Sequence, residues 1–185
     1  MKVLLQLQYA PELSLGFSVT NGGVYIGHVR NVMATRLLES DFDSILFIDS
    51  DMSFDAKSMA SMVLLRNDIV GARYYYKRIE KKMVASIGDV GGRLAQADWV
   101  GTGAMRIRRK VFEKLAETVE TYSPGGPGAG NEPETIYNFF PTGISHTYLG
   151  EDVGFCRLAR ESGFKTWVDM ECFCTHHGTI SYPTE

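Results

Sequence analysis

Cysteine is scarce in this sequence, and no long hydrophobic run is present. The three cysteines, Cys156, Cys172 and Cys174, do not suit the disulfide framework that small secreted domains commonly use, and they favour a reducing compartment. A membrane-spanning helix needs about 20 consecutive apolar residues, and no segment supplies them. The opening MKVLLQLQYAP has too short an apolar stretch for a signal peptide. The sequence therefore predicts a cytoplasmic protein without a transmembrane segment.

A strong net charge is also missing. The formal charge is -3 at pH 7 and no long basic block stands out, so the charge pattern does not predict nucleic-acid binding. The basic cluster of Arg106, Arg108, Arg109 and Lys110 is explained at least as well by the solvated start of a helix. The composition, with 44% hydrophobic and 22% charged residues, is that of an ordinary globular protein. We expect one domain, residues 1–185, with a sizeable core.

Strand-like and helix-like patterns alternate in the first part of the chain. The predicted elements are a strand at Lys2–Gln8, a helix near Gly27–Glu39, a strand at Ile45–Ile48, a helix near Asp55–Arg66 and a strand at Asp68–Tyr74. This alternation is typical of parallel strands that are covered by helices on both faces.

The second part of the chain departs from that alternation. The predicted elements are a hairpin of Met83–Ile87 and Arg93–Ala97, a strand at Trp99–Ile107 that runs into a helix, a helix at Gly150–Gly163, and two short strands at Lys165–Val168 and Glu171–Thr175. The stretch Tyr122–Tyr148 is rich in glycine and has no periodicity, which is typical of a functional or disordered loop. Together the two parts predict a single three-layer α/β domain with a central mixed, mostly parallel sheet.

An Asp-x-Asp sequence follows the short apolar run Ile45–Ile48, which reads as a strand buried on both faces. Ligands of open α/β sheets bind at the carboxyl ends of strands, where Asp49 and Asp51 would stand. Two acids separated by one residue can turn toward one point and hold a hard divalent cation. The alternative is one turn aspartate and one capping aspartate without a metal, and Ser53 could cap a helix that begins near Asp55.

An acidic pair and a histidine pair stand at other predicted element ends. Glu151 and Asp152 open a helix directly after the long loop, so one of them could act as a general base beside a mobile loop. Acids are also favoured in a first helical turn for capping alone. His176 and His177 end the last strand and should point to opposite faces, so only one of them can reach a given site.

Two weaker signals complete the set. The segment of Trp99, Gly101, Thr102 and Gly103 has glycines that would permit close backbone approach to a ligand, or would mark a bulge. Arg30 and Asn31 lie in the first turn of a predicted helix, where a guanidinium and helix N–H groups could bind an anion. An exposed helix charge is the alternative for the arginine.

The order of these features resembles a known enzyme family. The series FIDSDMSF, VGTGAMRIRRKVF, LGEDVGFCRLARESGFKTWVD and THHG is similar to the GT-A fold of nucleotide-sugar-dependent glycosyltransferases, and most of all to family-2-like members. The resemblance runs from Arg30 to Gly178. Its specific part is an Asp-x-Asp, a Gly-Glu-Asp that opens a helix ending in Arg-x-x-Gly, and a late His-x-Gly.

The resemblance implies a function and a set of site residues. It implies a nucleotide-sugar and metal half over residues 1–98, an acceptor and catalytic half over residues 99–185, and transfer to an acceptor hydroxyl. Mn²⁺ or Mg²⁺ on the donor diphosphate would be held by Asp49, Asp51 and His176. Asp152 would be the base of an inverting reaction, with Glu151 beside it. Donor contacts are expected from Gln8, Tyr9, Arg30, Asn31, Asp49, Ser50 and Asp51, and acceptor contacts from Trp99, Gly101, Thr102, Gly103 and Glu151.

Two other functions stay open at this point. A degenerate GT-A domain would bind nucleotide or carbohydrate without turnover, although the four residues Asp49, Asp51, Asp152 and His176 are all present. A sugar-phosphate nucleotidyltransferase would also join an α/β sheet to metal-bound diphosphate chemistry. Members of that class usually carry a glycine-rich basic signature after the first strand, and Leu4–Gly16 lacks one.

Overall fold

The computed structural model describes residues 13–19, 25–78, 82–125, 132–145 and 147–178. The helices are α1 (Ile26–Leu38), α2 (Ala56–Val63), α3 (Arg109–Ala116) and α4 (Glu151–Glu161). The strands are β1 (Ser44–Ile48), β2 (Met52–Phe54), β3 (Ile69–Arg73), β4 (Ala85–Val90), β5 (Leu94–Val100), β6 (Ala104–Arg108), β7 (Thr121–Tyr122), β8 (Ile136–Tyr137), β9 (Gly143–Ser145), β10 (Thr147–Leu149) and β11 (Thr166–His176). The predicted strand Lys2–Gln8 lies outside the described residues.

Seven of the described strands form a central mixed sheet, which confirms the predicted α/β class. Six of them follow the order β1-β6-β3-β11-β5-β4, and β2 pairs with β11. The prediction of a mostly parallel sheet is wrong for the described pairs, because only β3 and β11 run parallel. The pair β1–β6 is antiparallel as well, since Asp49 N–H donates to Gly103 O at 2.9 Å and Arg109 N–H donates to Asp43 O at 2.7 Å. Parallel neighbours need a crossover, and β3 to β6 follow one another without a helix.

Strand β1 is less buried than its apolar sequence predicts. Among the described strands it stands at the end of the sheet order and pairs with β6 alone. Phe47 is buried, but Ile48 is 38% exposed, so the strand is not covered on both faces. The continuous apolar run Ile45–Ile48 therefore does not distinguish a strand in the centre of a sheet from one at the end of the sheet order.

Two predicted element boundaries are corrected by the structure. The stretch Trp99–Ile107 is not one strand, because β5 ends at Val100 and β6 begins at Ala104. The two short strands at the end of the chain are one long strand, β11, with an irregular register between Asp169 and Phe173. This irregularity explains why the sequence reads as two segments.

The start of α2 also differs from the expectation. The Asp55 carboxylate caps the helix by accepting from Ser58 N–H at 2.8 Å, and this bond, together with that from the Ser58 hydroxyl, lowers the pKa of Asp55. Ser53, the predicted cap, lies in β2 instead. At the end of α4 the expectation holds, because Gly163 follows the helix with a φ of +89° that favours glycine.

Two arginines of the basic cluster hold loops in place rather than forming a solvated face. Arg106 is 1% exposed and donates to the carbonyl oxygens of Leu65 and Asn67. Arg109 donates to Leu38 O at 3.1 Å and to Phe42 O at 2.8 Å, just beyond the end of α1. Each guanidinium thus supplies hydrogen-bond donors to carbonyl groups in loops or at the end of a helix.

The chain divides into two compact units that are discontinuous in sequence. Among the described residues, the first unit contains Leu46–Ile107, the part of Lys165–Glu185 up to residue 178, and residues 13–17. The second unit contains Ser18–Ile45, of which residues 18, 19 and 25–45 are described, and the described part of Arg108–Phe164. The halves expected from the sequence, 1–98 and 99–185, are by contrast contiguous.

Each unit has its own core. The first is built from α2, β3 and β11, and it buries Met59, Met62, Val70, Tyr74, Cys172 and Cys174. The two cysteines share one face of β11, as their spacing predicts, and both are free thiols. The second unit stacks aromatic rings, with the Phe140 and Phe155 centroids 4.7 Å apart and those of Phe112 and Phe139 5.0 Å apart. In the described part of the chain, no helix is long and apolar enough to cross a membrane.

Candidate functional site

A tight turn between β1 and β2 presents the second aspartate of the Asp-x-Asp sequence. Met52 N–H donates to Asp49 O at 3.1 Å, which closes the turn over Ser50 and Asp51. Strand β2 then pairs antiparallel with the end of β11, where Met52 lies opposite His176. The turn and the strand end therefore bring Asp51 to the last residues of β11.

His176 faces Asp51 with a defined side of its ring. Its Nε2 lies 3.5 Å from Asp51 Oδ2, and its Nδ1 lies 3.1 Å from the carbonyl oxygen of Tyr75. A carbonyl oxygen only accepts, so the proton is on Nδ1 and the other nitrogen is directed at the carboxylate. Two acceptors at this distance need a proton or a cation between them. Histidines that bind metals commonly donate their other ring N–H to a backbone carbonyl or a carboxylate, which fixes the orientation of the ring.

The neighbouring histidine has a different partner. The ring Nε2 of His177 lies 2.7 Å from the Ser53 hydroxyl, and its backbone N–H donates to Asp51 O at 2.7 Å. Of the two adjacent histidines, the structure thus directs only His176 toward the Asp51 carboxylate.

Lys77 lies against the same carboxylate. Its ammonium group donates to Asp51 Oδ2, and both side chains are more than a third exposed. Partial burial alone would raise the pKa of Asp51, but the Lys77 hydrogen bond and the nearby charges of His176 and Lys77 outweigh it. The net effect is a lowered pKa, which keeps the Asp51 carboxylate ionised.

The pair of Asp51 and His176 fits a divalent cation only in part. Within the described ranges, no group of three or more histidine, cysteine, aspartate or glutamate side chains is placed to hold a metal ion. The predicted ligands Asp49, Asp51 and His176 are therefore not gathered into such a group. Mg²⁺ is commonly bound through one or two carboxylates together with substrate phosphates. The pair fits that kind of site, in which a phosphate ligand completes the sphere, better than a closed protein cage.

A separate acidic cluster lies in the second unit. Arg30 of α1, 3% exposed, forms an ion pair with Glu151 at the start of α4. Helix α1 approaches closely at Gly27, where an added Cβ would lie 3.1 Å from Phe140 O and 3.4 Å from Glu151 Cβ. Arg30 is thus a buried partner of Glu151, and the alternative of an exposed helix charge does not apply.

Asp152 has the opposite electrostatic setting to Asp51. Burial raises the pKa of its carboxyl group, and the negative charge of Glu151 raises it further. A hydrogen bond from Val153 N–H at 2.8 Å and the charge of Arg30 offset this only in part. The N-cap of α4 is Gly150 and makes no side-chain capping bond. The capping alternative therefore applies in part to Asp152, whose carboxylate accepts the first-turn N–H of Val153, while Glu151 pairs with Arg30.

Asn31 is used inside the second unit. Its amide NH₂ group lies 3.2 Å from Tyr122 OH and 3.2 Å from Asn138 Oδ1, and its oxygen accepts from Phe140 N–H at 2.8 Å. At 3% exposure these contacts account for the amide without a ligand. Asn31 therefore ties α1 to the segment that precedes the acidic pair.

The glycine segment of the predicted acceptor site packs closely against Tyr74. A Cβ at Gly101 would lie 2.1 Å from Tyr74 OH, and one at Gly103 would lie 2.8 Å from the same oxygen. Gly103 N–H also donates to that hydroxyl at 3.0 Å, and Thr102 is 2% exposed. The close approach that these glycines permit is thus to Tyr74, whose ring packs edge-on against His176 at 5.6 Å.

The remaining predicted contacts are less informative. Trp99 is partly buried and packs against the core of the first unit. Ser50 is exposed in the β1–β2 turn. Gln8 and Tyr9 lie outside the described residues.

Sequence reasoning missed the residues that follow β3. Tyr75 and Lys77 both contact the Asp51–His176 pair, through a carbonyl oxygen and an ammonium group. Strands β3 and β11 are parallel neighbours, so their carboxyl ends meet at one edge of the sheet. The basic and aromatic run RYYYKR at residues 73–78 was the available signal.

Comparison with known proteins supports the fold. No protein-family model matches the chain, and no curated protein matches it. A solved structure described as A197 from STIV is similar, with a TM-score of 0.54 and 16% sequence identity over 99% of this chain and 87% of that chain. At this identity the similarity shows the fold alone.

Proposed function

We propose that the chain is a glycosyltransferase that moves a sugar from a nucleoside-diphosphate sugar to an acceptor hydroxyl with the help of Mn²⁺ or Mg²⁺. The observation that carries the proposal is the Asp51–His176 pair. An ionised carboxylate faces the Nε2 nitrogen of a histidine whose other ring nitrogen donates to the Tyr75 carbonyl. That pairing suits a hard cation that also binds phosphate oxygens.

On the donor side, Asp51 and His176 would hold the cation that binds the donor diphosphate. The lowered pKa of Asp51 keeps an anionic ligand available over a wide pH range. When bound, the cation supplies positive charge that stabilises the departing nucleoside diphosphate.

On the acceptor side, Asp152 would take the proton. As the acceptor oxygen forms its bond to the anomeric carbon, the bond between that carbon and the diphosphate oxygen breaks, and the hydroxyl proton moves to the Asp152 carboxylate. A raised pKa increases the proton affinity of that carboxylate, which favours a general base. Glu151, held by Arg30, would accept a hydrogen bond from the acceptor.

Calorimetric titration of nucleoside diphosphates in Mn²⁺ and in EDTA tests the donor side. We expect binding that requires Mn²⁺ and that is lost in Asp51→Ala, while the fold survives because Asp51 is on an exposed turn. Asp98→Ala, a change at an exposed aspartate of β5, is the matched control and should bind normally. Equal affinity in EDTA and in Mn²⁺ would contradict the metal assignment.

A donor screen with Mn²⁺ that follows nucleoside diphosphate release separates the enzyme classes. Release that depends on an acceptor supports glycosyl transfer. Binding without release at any acceptor would indicate a carbohydrate- or nucleotide-binding domain. Pyrophosphate formed from a nucleoside triphosphate and a sugar phosphate would indicate a nucleotidyltransferase.

A further inference from the structure

The short segment after β3 contacts both members of the candidate metal pair. We define this segment, Tyr74–Arg78, as the β3 arm. The Tyr75 carbonyl accepts from His176 Nδ1, and the Lys77 ammonium group donates to Asp51 Oδ2. The two contacts lie two residues apart on one stretch of backbone. The β3 arm is therefore part of the site that the Asp51–His176 pair defines.

The backbone of the arm is held on its other side. Tyr75 pairs with Met83 in an antiparallel bridge, and Tyr76 N–H donates to Lys82 O at 3.0 Å. Because the arm is fixed at these points, the backbone of Lys77 stays beside the pair, and a change of partner needs only a turn of its side chain. The Lys77 side chain is 36% exposed, so its long stem has room to turn.

Lys77 and a divalent cation would compete for one oxygen. The ammonium group contacts Asp51 Oδ2, the same oxygen that lies 3.5 Å from His176 Nε2. A cation shared by Asp51 and His176 must bind on that side of the carboxylate, where its charge repels an ammonium group in contact with the same atom. A lysine that the metal displaces from Asp51 can bind a phosphate group instead, because an ammonium group donates strong charge-assisted hydrogen bonds to phosphate oxygens.

We propose that Lys77 is an exchangeable partner of Asp51, one that gives way to the metal and then binds the diphosphate of the donor. The inference rests on the proposed function and names a residue that couples metal binding to diphosphate binding. Lys77 holds the Asp51 carboxylate in place before the metal arrives. After the exchange, its charge contributes to diphosphate affinity.

Two binding measurements on Lys77→Ala test the exchange, because they change in opposite directions. The affinity for Mn²⁺ alone, followed by the electron paramagnetic resonance signal of free Mn²⁺, should rise about two- to fivefold, since an exposed ion pair that opposed the metal is gone. The affinity for inorganic pyrophosphate at saturating Mn²⁺, followed by calorimetry, should fall about tenfold or more, since a charged donor is lost. Lys77→Arg should stay near the wild type in Mn²⁺ affinity.

Lys57→Ala is the matched control, because Lys57 is an exposed lysine of α2 in the same unit. It should leave both affinities unchanged. If Lys77→Ala changes both affinities in the same direction or changes neither, the exchange is overturned. If Mn²⁺ binding is normal in Asp51→Ala, the metal assignment itself fails, and the exchange fails with it. If Asp51→Ala loses Mn²⁺ while Lys77→Ala matches the wild type, only the role of Lys77 is overturned.

Discussion

Two aspartates in this molecule have opposite electrostatic settings. Asp51, in the exposed turn after β1, has its pKa lowered by Lys77 and His176 against the effect of partial burial. Asp152, at the start of α4, has its pKa raised by burial and by the charge of Glu151. The same kind of side chain thus has a decreased proton affinity in one unit and an increased proton affinity in the other.

The difference matches the two tasks that glycosyl transfer sets. A metal ligand must stay deprotonated, whereas a general base works best when its pKa is nearer to the working pH. Carboxylates whose environments move their pKa values apart are a guide to such assignments. Substitutions of these aspartates and of their partners test this division of tasks.

Asp152→Asn should remove the proposed general base while the side chain keeps its shape. A positioned base contributes about 10²- to 10⁴-fold, so transfer to the acceptor should fall within that range. Affinity for Mn²⁺ and nucleoside diphosphate should stay near the wild type, unlike that of Asp51→Ala. Turnover assays measure the transfer rate of the two variants, and calorimetry measures their affinities for Mn²⁺ and nucleoside diphosphate. NMR of the wild-type product should show an anomeric configuration that is inverted relative to the donor. Near-normal turnover, or a retained anomer, would mean that Asp152 is not the base.

Arg30→Met should be the most destabilising of these changes. Removing one partner of a buried ion pair costs about 3–5 kcal/mol. Because Glu151 is partly exposed, we expect the free energy of unfolding to fall by about 3 kcal/mol. Urea unfolding measures it. Arg157→Met, which breaks the exposed Arg157–Glu161 pair of α4, is the control and should cost less than about 1 kcal/mol. Equal losses would show that Arg30 is not a support for the acidic pair.

His176→Ala and His177→Ala should have different effects on metal-dependent binding, although the two histidines are adjacent. Loss of the histidine that faces Asp51 should weaken Mn²⁺-dependent nucleoside diphosphate binding about tenfold or more. His177→Ala removes a contact to Ser53, away from the Asp51 carboxylate, and should have little effect. Calorimetry ranks the two variants. The reverse ranking would contradict the observed directions of the two rings, and equal, negligible effects would mean that the metal is bound without histidine.

Glu151→Gln should shift the pH dependence of transfer. The base must be deprotonated, so kcat/KM falls as the pH drops through the pKa of Asp152, which burial and Glu151 raise above its ordinary value. Removing the Glu151 charge removes one cause of that rise, and the acidic limb should move to lower pH. A pH profile of kcat/KM measures the shift. A limb that stays in place would assign the titration to another group.

The fold was predictable where local periodicity carried the information. The apolar spacing of α1 placed that helix within about one residue of its observed ends, and Gly163 ended α4 as expected. Strand direction was not predictable in the same way. The alternation of the first part suggested parallel pairing, but which strands became neighbours was decided by contacts between distant segments.

The candidate site was predictable to a similar degree. Asp51, Asp152 and His176 were named from the sequence because each stands at the end of an element in a recognisable order. Tyr75 and Lys77 were missed because a carbonyl oxygen has no sequence signature and a basic residue after a strand has many explanations. The close backbone approach at Gly101 and Gly103 was assigned to a ligand, whereas in the structure it is the Tyr74 side chain that occupies the space next to these two glycines.

The sequence by itself determined which residue types stand at which element ends, because helix and strand periods are read from near neighbours along the chain. Only the tertiary structure decided what those residues meet. The parallel pairing of β3 with β11 brings Tyr75 to His176, and the β1–β2 turn brings Asp51 to the same histidine. For Asp51, the contacts of Lys77 and His176 that lower its pKa come from segments far away in sequence. For Asp152, the adjacent Glu151 supplies the neighbouring charge, and it is the burial of the carboxyl group that only the tertiary structure decided.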